Sequence, residues 1–266
     1  MNKIYLLGDI HGRTFWKELK DNKEDLIIFV GDYVDPYCGY EDITKNDALE
    51  NFKQIIEFAR SRDNVVLLMG NHDATYFLSN LICECRTDYD NFQEIQKLFR
   101  DNADLFKLAY AFEHNGEKFL VTHAGVHKDW IDSFNIKRVV NGDEVSFVTE
   151  NIVDISDHYK IADFINAEFK KVQEAGYPRR SDFIAALANV SYYRGGWGNF
   201  GSCIWADVHE FIGFGLTREL DCYQIFGHTQ LEKGYPIIGN DFACIDSKEV
   251  YTLDYILEKR KENENK

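Results

Sequence analysis

The stretch Gly8-Asp9-Ile10-His11-Gly12 directly follows a short apolar run at residues 4–7 and places a carboxylate close to an imidazole. A second stretch, Gly31-Asp32-Tyr33-Val34-Asp35, follows the apolar run at residues 26–30 in the same way. Short apolar runs bounded by turn residues are typical of buried parallel strands. The two stretches therefore predict an α/β fold with ligand-type side chains at the ends of its strands.

The same pattern recurs at three later points in the chain. These further stretches are Gly70-Asn71-His72-Asp73, Thr122-His123-Ala124-Gly125 and Gly227-His228-Thr229, and each follows a predicted strand. In open α/β sheets, functional groups gather in the loops beyond the carboxyl ends of the strands. We therefore expect these loops to converge on one site.

The remaining elements follow from periodicity and turn residues. Helical spacing predicts helices at residues 14–22, 47–62, 161–175 and 181–190, and a mostly helical segment at 74–111. Asn115-Gly116 predicts a hairpin between strands at 109–113 and 117–121. Late strands are expected at 222–226, 235–238, 242–246 and 250–255. We interpret residues 1–257 as one domain, residues 126–202 as an insertion over the site, and the charged residues 258–266 as a frayed, solvated tail.

The composition limits the classes of partner. There are 30 basic and 45 acidic residues, and the net charge of -15 repels nucleic acid and anionic membranes, so neither is expected as a partner. The 6 cysteines show no disulfide or zinc-ribbon spacing, which indicates a reducing compartment. No run resembles a signal peptide or a membrane span. The sequence therefore predicts a soluble, cytoplasmic protein.

Side chains of metal-ligand type follow five of the predicted strands. They are Asp9, His11, Asp32, Asn71, His123 and His228. Carboxylate and amide oxygens mixed with imidazole suit Mn²⁺, Fe or Zn²⁺ better than Ca²⁺, and the lack of cysteine argues against a structural zinc site. A single aspartate or asparagine after a strand is often only a helix cap. That alternative would have to hold independently at every strand end, so the joint pattern favours a metal centre.

In their order along the chain, these five stretches resemble the signature blocks of the calcineurin-like metallophosphoesterases. The form Asp32-Tyr33-Val34-Asp35 is most similar to the branch of serine/threonine phosphoprotein phosphatases and their bacterial and phage relatives. The resemblance implies a four-layer α/β/β/α sandwich with a central pair of mixed β-sheets and a metal site at the C-terminal ends of the strands.

The resemblance also implies roles for the ligands. Asp9 and His11 would bind a first divalent ion, Asp32 would bridge two ions, and Asn71, His123 and His228 would complete the second site. Mn²⁺ is the preferred ion, with Fe, Zn²⁺ or Ni²⁺ as alternatives. Two ions about 3.5–4 Å apart can generate a bridging hydroxide near neutral pH and hold a phosphoryl group for in-line attack. The predicted activity is metal-dependent hydrolysis of phosphoesters, foremost phosphomonoesters.

The leaving oxygen needs a proton, and His72, next to the ligand Asn71, is the candidate general acid. By resemblance, Asp35 would hydrogen-bond its imidazole and fix the tautomer. The alternative for Asp35 is a turn residue before Pro36.

Two positions depart from the family pattern. Pro36 stands where relatives usually carry a phosphate-binding arginine, and Gln230 stands where some relatives carry a further histidine ligand. Arg194 is the first candidate for the missing phosphate-binding cation and Arg13 the second, although an exposed arginine is commonly only a surface ion-pair residue.

Other functions remain compatible with these motifs. They are hydrolysis of dinucleoside polyphosphates or other nucleotides, a nuclease or phosphodiesterase activity, and a noncatalytic scaffold. The expected partner is a phosphorylated protein or small molecule, and the motifs do not specify an oligomeric state.

Overall fold

The computed structural model describes residues 2–78, 86–141, 144–174, 182–212 and 220–264. Its strands are β1 Ile4–Leu7, β2 Leu26–Phe29, β3 Val65–Leu68, β4 Phe106–Lys107, β5 Ala109–His114, β6 Glu117–Thr122, β7 Ile136–Asn141, β8 Glu144–Thr149, β9 Tyr223–Phe226, β10 Ile237–Ile238, β11 Phe242–Cys244 and β12 Val250–Thr252. Its α-helices are α1 Lys45–Arg60, α2 Asn71–Phe77, α3 Phe92–Asp101, α4 Lys128–Asp132, α5 His158–Glu174, α6 Asp182–Leu187, α7 His209–Ile212 and α8 Leu253–Glu264. Short 3₁₀ turns lie at Phe15–Glu18, Ala103–Leu105, Ser133–Asn135 and Tyr192–Arg194.

Two five-stranded mixed sheets form the centre of the molecule. The first has the strand order β12-β1-β2-β3-β4, in which β1 to β4 are parallel and β12 is antiparallel to β1. The second has the order β10-β11-β9-β6-β5, in which β6, β9 and β11 are parallel to one another. In each sheet the parallel strands stand together, so their carboxyl ends lie along one edge.

The two sheets pack face to face because their strands are apolar on both sides. Leu6, Ile28 and Leu68 of the first sheet share a buried cluster with Val121 and Ile225 of the second. Alternate residues of a strand point to opposite faces, so the neighbours of these residues face outward. The inter-sheet core therefore fixes the two sets of strand ends relative to each other.

Helices cover the outer faces of both sheets. Phe52 and Ile55 of α1 pack with Leu7 and Phe29 on the outside of the first sheet. On the second sheet, Asn166 of α5 donates to the Ala109 carbonyl and accepts from the Leu108 and Ala109 amides, while α7 packs against β9 and β11. These layers confirm the four-layer α/β/β/α sandwich.

Most predicted elements are present, with shorter bounds. The predicted hairpin is β5 and β6, joined at Asn115 and Gly116, which both have positive φ as the turn requires. The helix predicted at residues 14–22 is only a 3₁₀ turn. The mostly helical segment predicted at 74–111 contains α2 and α3 but ends in strands, and its residues 79–85 lie outside the described part of the chain. The predicted helix ends at residues 175 and 181 also lie outside it.

The range from residue 126 to 202 contains an element that the sequence did not predict. β7 and β8 form an antiparallel pair of their own, and several of their apolar side chains, including Phe147, are exposed. In contrast, Ile161 and Phe169 of α5 belong to the same buried cluster as the outer face of the first sheet.

The prediction of a frayed tail was wrong for residues 258–264. The strand expected at 250–255 ends at Thr252, and α8 then continues through Glu264. Leu253 and Ile256 anchor this helix in the inter-sheet core. Ion pairs one turn apart, such as Arg260 with Glu264, support the charged end of the helix.

Candidate metal centre

All six side chains of metal-ligand type are buried beyond the carboxyl ends of parallel strands. Asp9 and His11 follow β1, Asp32 follows β2, Asn71 follows β3, His123 follows β6, and His228 follows β9. Strands of the first sheet thus supply four of these residues and strands of the second sheet supply two. The convergence expected from the strand-end pattern is present.

The first group of ligand atoms lies around His11. Its Nε2 is 3.5 Å from Asp32 Oδ2 and 3.9 Å from Asp9 Oδ2. The other ring nitrogen, Nδ1, is 2.9 Å from the Val34 carbonyl oxygen and donates to it. This hydrogen bond fixes the tautomer that leaves Nε2 free to bind a metal ion.

The second group lies around His123. Its Nε2 is 3.0 Å from Asn71 Oδ1, 3.1 Å from His228 Nδ1 and 3.6 Å from Asp32 Oδ2. Nδ1 of His123 donates to the Val30 carbonyl at 2.9 Å. Ligand atoms that each bind one ion at about 2.1 Å lie about 3–3.5 Å from one another. The spacing of this group fits a bound ion, and Asp32 Oδ2 belongs to both groups.

The backbone at the site adopts a conformation that side chains rarely allow. Six described residues other than glycine have positive φ. Four of them are predicted site residues: His11 at 44°, Asp32 at 55°, Asp35 at 59° and His228 at 64°. The left-handed region costs about 1–2 kcal/mol per residue, and such strain concentrates at functional sites.

Two glycines allow the carboxylates to reach their positions. A Cβ atom on Gly70 would lie 2.1 Å from Asp32 Oδ1, and one on Gly227 would lie 2.3 Å from Asp9 Oδ1. Any side chain at these two positions would displace a ligand. The glycines that precede Asn71 and His228 are therefore needed for the close approach of the two carboxylates.

The electrostatics of the site favour cations. Burial, together with repulsion from neighbouring carboxylates, raises the pKa of Asp9 and of Asp32 well above the ordinary value. Burial also lowers the pKa of His11 and His228, and lowers that of His123 to about 3, so the imidazoles are neutral near pH 7. Buried carboxylates beside neutral imidazoles form the donor set that divalent ions require. The residues present fit two such ions.

A buried hydrogen-bonded pair adjoins the metal ligands. His72 Nδ1 donates to Asp35 Oδ2 at 2.8 Å, and the His72 amide donates to Asp32 Oδ1 at 3.0 Å. The other oxygen of Asp35 accepts from the Tyr76 hydroxyl and from the Asp88 amide. The hydrogen bond between His72 and Asp35 that was expected from the sequence is therefore present, and Tyr76 also hydrogen-bonds Asp35.

Asp73 joins the loops that carry the ligands. Its carboxylate accepts from the backbone amides of Asp32, Tyr33 and Gly70. Asp73 therefore caps the start of α2 at Gly70, and it also connects the loop after β2 to the loop after β3.

Residues 2–195 match the family described as calcineurin-like phosphoesterase. The chain belongs to this family. The match includes the first four signature blocks, whereas His228 lies beyond it. Two clusters of side chains are spaced so that each could hold a metal ion: His11 with Asp32 and His72, and Asp32 with His123 and His228. Together with family membership, they support metal-dependent hydrolysis of phosphoesters as the activity.

Comparison with solved structures finds a protein serine/threonine phosphatase from Saccharomyces cerevisiae with similarity to human phosphatase PP5. The two chains share 16% sequence identity with a TM-score of 0.47, over 95% of this chain and 72% of that one. Comparison with curated proteins finds no match.

Among the described residues, no helix is both long enough and apolar enough to cross a membrane.

The two candidate arginines of this phosphoesterase are both near the ligands. Arg13 is buried, with two of its nitrogens donating to Glu41 at 2.8 and 2.9 Å and a third donating to the Asp9 carbonyl at 3.4 Å. Arg194 donates to the His228 carbonyl at 3.1 Å and lies 3.5 Å from Asp207 Oδ2. Most of the binding capacity of Arg13 is therefore already used within the protein.

The sequence analysis did not identify three residues that lie at the site. Tyr76 and Asp246 are buried, and Arg86 donates to the Asp35 carbonyl at 3.2 Å. Asp246 follows β11 as the ligand-type residues follow their strands, and burial raises its pKa to about 6. Of the three residues, only Asp246 had a signal in the sequence, its position at the end of the strand predicted at 242–246.

Proposed function

We propose that this protein hydrolyses phosphomonoesters at a two-ion centre, like the serine/threonine phosphoprotein phosphatases that its sequence resembles. The proposed ligands are Asp9, His11 and Asp32 for the first ion, and Asp32, Asn71, His123 and His228 for the second. Mn²⁺ is the first choice of ion, with Fe, Zn²⁺ and Ni²⁺ as alternatives, because the donors mix oxygen with imidazole nitrogen. The four described cysteines are all free, which supports a reducing cytoplasm.

One observation carries the proposal. Asp32 Oδ2 lies 3.5 Å from His11 Nε2 and 3.6 Å from His123 Nε2, so a single carboxylate oxygen contacts both ligand groups. The buried pair of His72 and Asp35 stands directly beside them. A shared carboxylate next to a proton donor suits phosphoryl transfer to water.

When bound, the ions supply Lewis-acid activation of water and neutralise charge on the phosphoryl group. We assign the remaining steps to side chains of the protein. Because Asp35 holds Nδ1 of His72, Nε2 is the atom that donates a proton to the leaving oxygen. Tyr76 and the Asp88 amide keep the carboxylate of Asp35 from rotating. Arg194, which retains N–H groups beyond its contacts with His228 and Asp207, binds phosphoryl oxygens.

A substrate panel on metal-reconstituted protein tests this proposal. The protein is stripped with chelator, loaded with Mn²⁺, and assayed with p-nitrophenyl phosphate, bis-p-nitrophenyl phosphate, a dinucleoside polyphosphate and single-stranded DNA. We expect the monoester to be cleaved fastest. Asp32→Ala and Asn71→Ala should each remove most of the activity, while Asp221→Ala, at an exposed ion pair with Lys118, should not.

The other outcomes distinguish the alternatives. Preference for the diester or for DNA would indicate a phosphodiesterase or nuclease. Preference for the dinucleoside polyphosphate would indicate a nucleotide hydrolase. A protein that binds no metal and cleaves nothing would be a scaffold built on the same fold.

A further inference from the structure

The residue directly after Asp35 is Pro36, which carries no positive charge. Arg86 reaches this loop from a distant part of the chain. Its Nη2 donates to the Asp35 carbonyl oxygen at 3.2 Å, at the peptide bond that leads into Pro36. The guanidinium group of Arg86 therefore lies beside the backbone of Pro36, whose own side chain has no positive charge.

An aromatic ring holds this guanidinium group toward the site. The Cζ atom of Arg86 lies 3.5 Å from the ring centroid of Tyr37, a distance typical of close cation–π stacking. The same Tyr37 ring meets the His11 ring edge-on, with 5.1 Å between centroids. Tyr37 therefore contacts both Arg86 and a ligand of the first ion.

Arg86 differs from the other two arginines in having no carboxylate partner among the described residues. Arg13 is occupied by Glu41, and Arg194 lies within ion-pair distance of Asp207. Arg86 is exposed, and within the described ranges of the chain no carboxylate lies at ion-pair distance from it. A guanidinium group carries five N–H donors, and the described contacts of Arg86 with Asp35 and Tyr37 leave several of them for a ligand.

Arg86 and Arg194 contact different parts of the site. Arg86 stacks on the Tyr37 ring, which meets the His11 ring. Arg194 donates to the carbonyl oxygen of His228, a residue of the second ligand group. The two arginines thus contact the surroundings of the first and second ligand groups respectively.

We propose that Arg86 binds the phosphoryl group of the substrate from the His11 side, opposite Arg194, with Tyr37 holding its guanidinium group in place. This inference rests on the proposed phosphomonoesterase function. It assigns to Arg86 the role that an arginine at position 36 would fill. The planar fork of the guanidinium group suits two phosphoryl oxygens.

The test measures binding of inorganic phosphate to Mn²⁺-loaded protein by titration calorimetry, which requires no turnover. Arg86→Ala should weaken phosphate binding about 10-fold, the loss expected for charge-assisted hydrogen bonds at an exposed group. Arg86→Lys should recover part of the affinity, because it restores the charge but not the fork. The matched control is Arg60→Ala. It removes the arginine at the end of α1, which pairs with Asp104, and the variant should bind phosphate normally.

A separate titration with Mn²⁺ distinguishes a binding role from a structural one. If Arg86 only held the Asp35 loop, its removal would weaken Mn²⁺ and phosphate binding together, and the proposal would be wrong. Unchanged phosphate affinity in Arg86→Ala, or no phosphate binding by the loaded wild type, would also overturn it. Wild-type protein that binds phosphate through Arg86 yet cleaves no monoester would refute the proposed function and leave this assignment standing.

Discussion

Gly70→Ala tests the metal centre without removing any ligand. The added Cβ would lie 2.1 Å from Asp32 Oδ1 and 2.8 Å from the Asp32 amide nitrogen, whereas ordinary contacts begin at 3.4 Å. The carboxylate must therefore retreat by about 1 Å or more, since the backbone is fixed on both sides by the sheet. That movement weakens the His72 amide hydrogen bond to Oδ1 and carries Oδ2 away from both histidines.

The expected magnitude follows from this displacement. We predict that Mn²⁺ affinity falls about 10–100-fold, the range found when the support of a metal ligand is disturbed. The free energy of unfolding of the metal-free protein should fall by about 1–3 kcal/mol, as for other overpacked sites. Activity at saturating Mn²⁺ should fall as well, because Asp32 is the ligand that both groups share.

The assay is calorimetric titration of chelator-treated protein with Mn²⁺, together with thermal unfolding in chelator. Gly239→Ala is the matched control, because its Cβ also makes a tight contact, 2.9 Å from the Phe242 ring, but away from the ligands. The control should lose some stability and keep its metal affinity. Wild-type affinity and stoichiometry in Gly70→Ala would refute the assignment of Asp32 as the shared ligand.

Three further predictions concern the proton donor and the buried charges. His72→Asn should keep Mn²⁺ affinity but slow alkyl phosphates about 100-fold more than p-nitrophenyl phosphate, and equal slowing of both would argue against a general acid. Tyr76→Phe should show the same leaving-group dependence at about 10-fold, because Asp35 loses one hydrogen bond, and no change would remove Tyr76 from the mechanism. Without metal, the raised pKa of Asp9 and of Asp32 makes the folded protein bind protons that the unfolded chain releases. The lowered pKa of the site histidines has the opposite effect until they are neutral in both states, about one unit above their ordinary pKa of 6.5. Above that pH, thermal stability in chelator should fall as pH rises through the raised pKa of the two aspartates, and it should change little with Mn²⁺ bound. A parallel pH dependence in both samples would contradict this.

The convergence of the ligand-type side chains could be predicted because the position of each depends on local sequence. Asp32, for example, follows an apolar strand and a glycine, and the parallel arrangement of the strands brings such positions to one edge. The sandwich architecture was implied by the resemblance of those same blocks. Both predictions needed only features that lie within a few residues of each other.

The residues that were missed depend on contacts between distant parts of the chain. Tyr76 meets Asp35 across 41 positions, and Arg86 meets it across 51. A tyrosine on a short helix, or an arginine in a segment without a motif, gives no local signal of such a partner. The contact between Arg86 and the Asp35 carbonyl, next to Pro36, could therefore be found only in the folded structure.

Two errors in the fold have a different cause. The end of α8 was interpreted from its charge alone, although Arg260 and Glu264 lie one helical turn apart and pair. β7 and β8 were missed although they carry apolar residues such as Val145 and Phe147, because the range 126–202 was interpreted from its overall composition as an insertion. In both cases the prediction relied on the composition of the segment, whereas the spacing of its residues or the pairing of its strands determines the structure.

The division of the ligands between two sheets also bears on how the protein is made. The backbone amide of His228 donates to Asp9 Oδ1 at 2.9 Å, across 219 positions of the chain. During synthesis Asp9 leaves the ribosome long before His228 does, so the centre cannot be completed until the second sheet has formed. A growing chain that has made only the first strands therefore lacks His123 and His228. The complete set of ligand-type side chains exists only late in biogenesis, in chains that have folded fully.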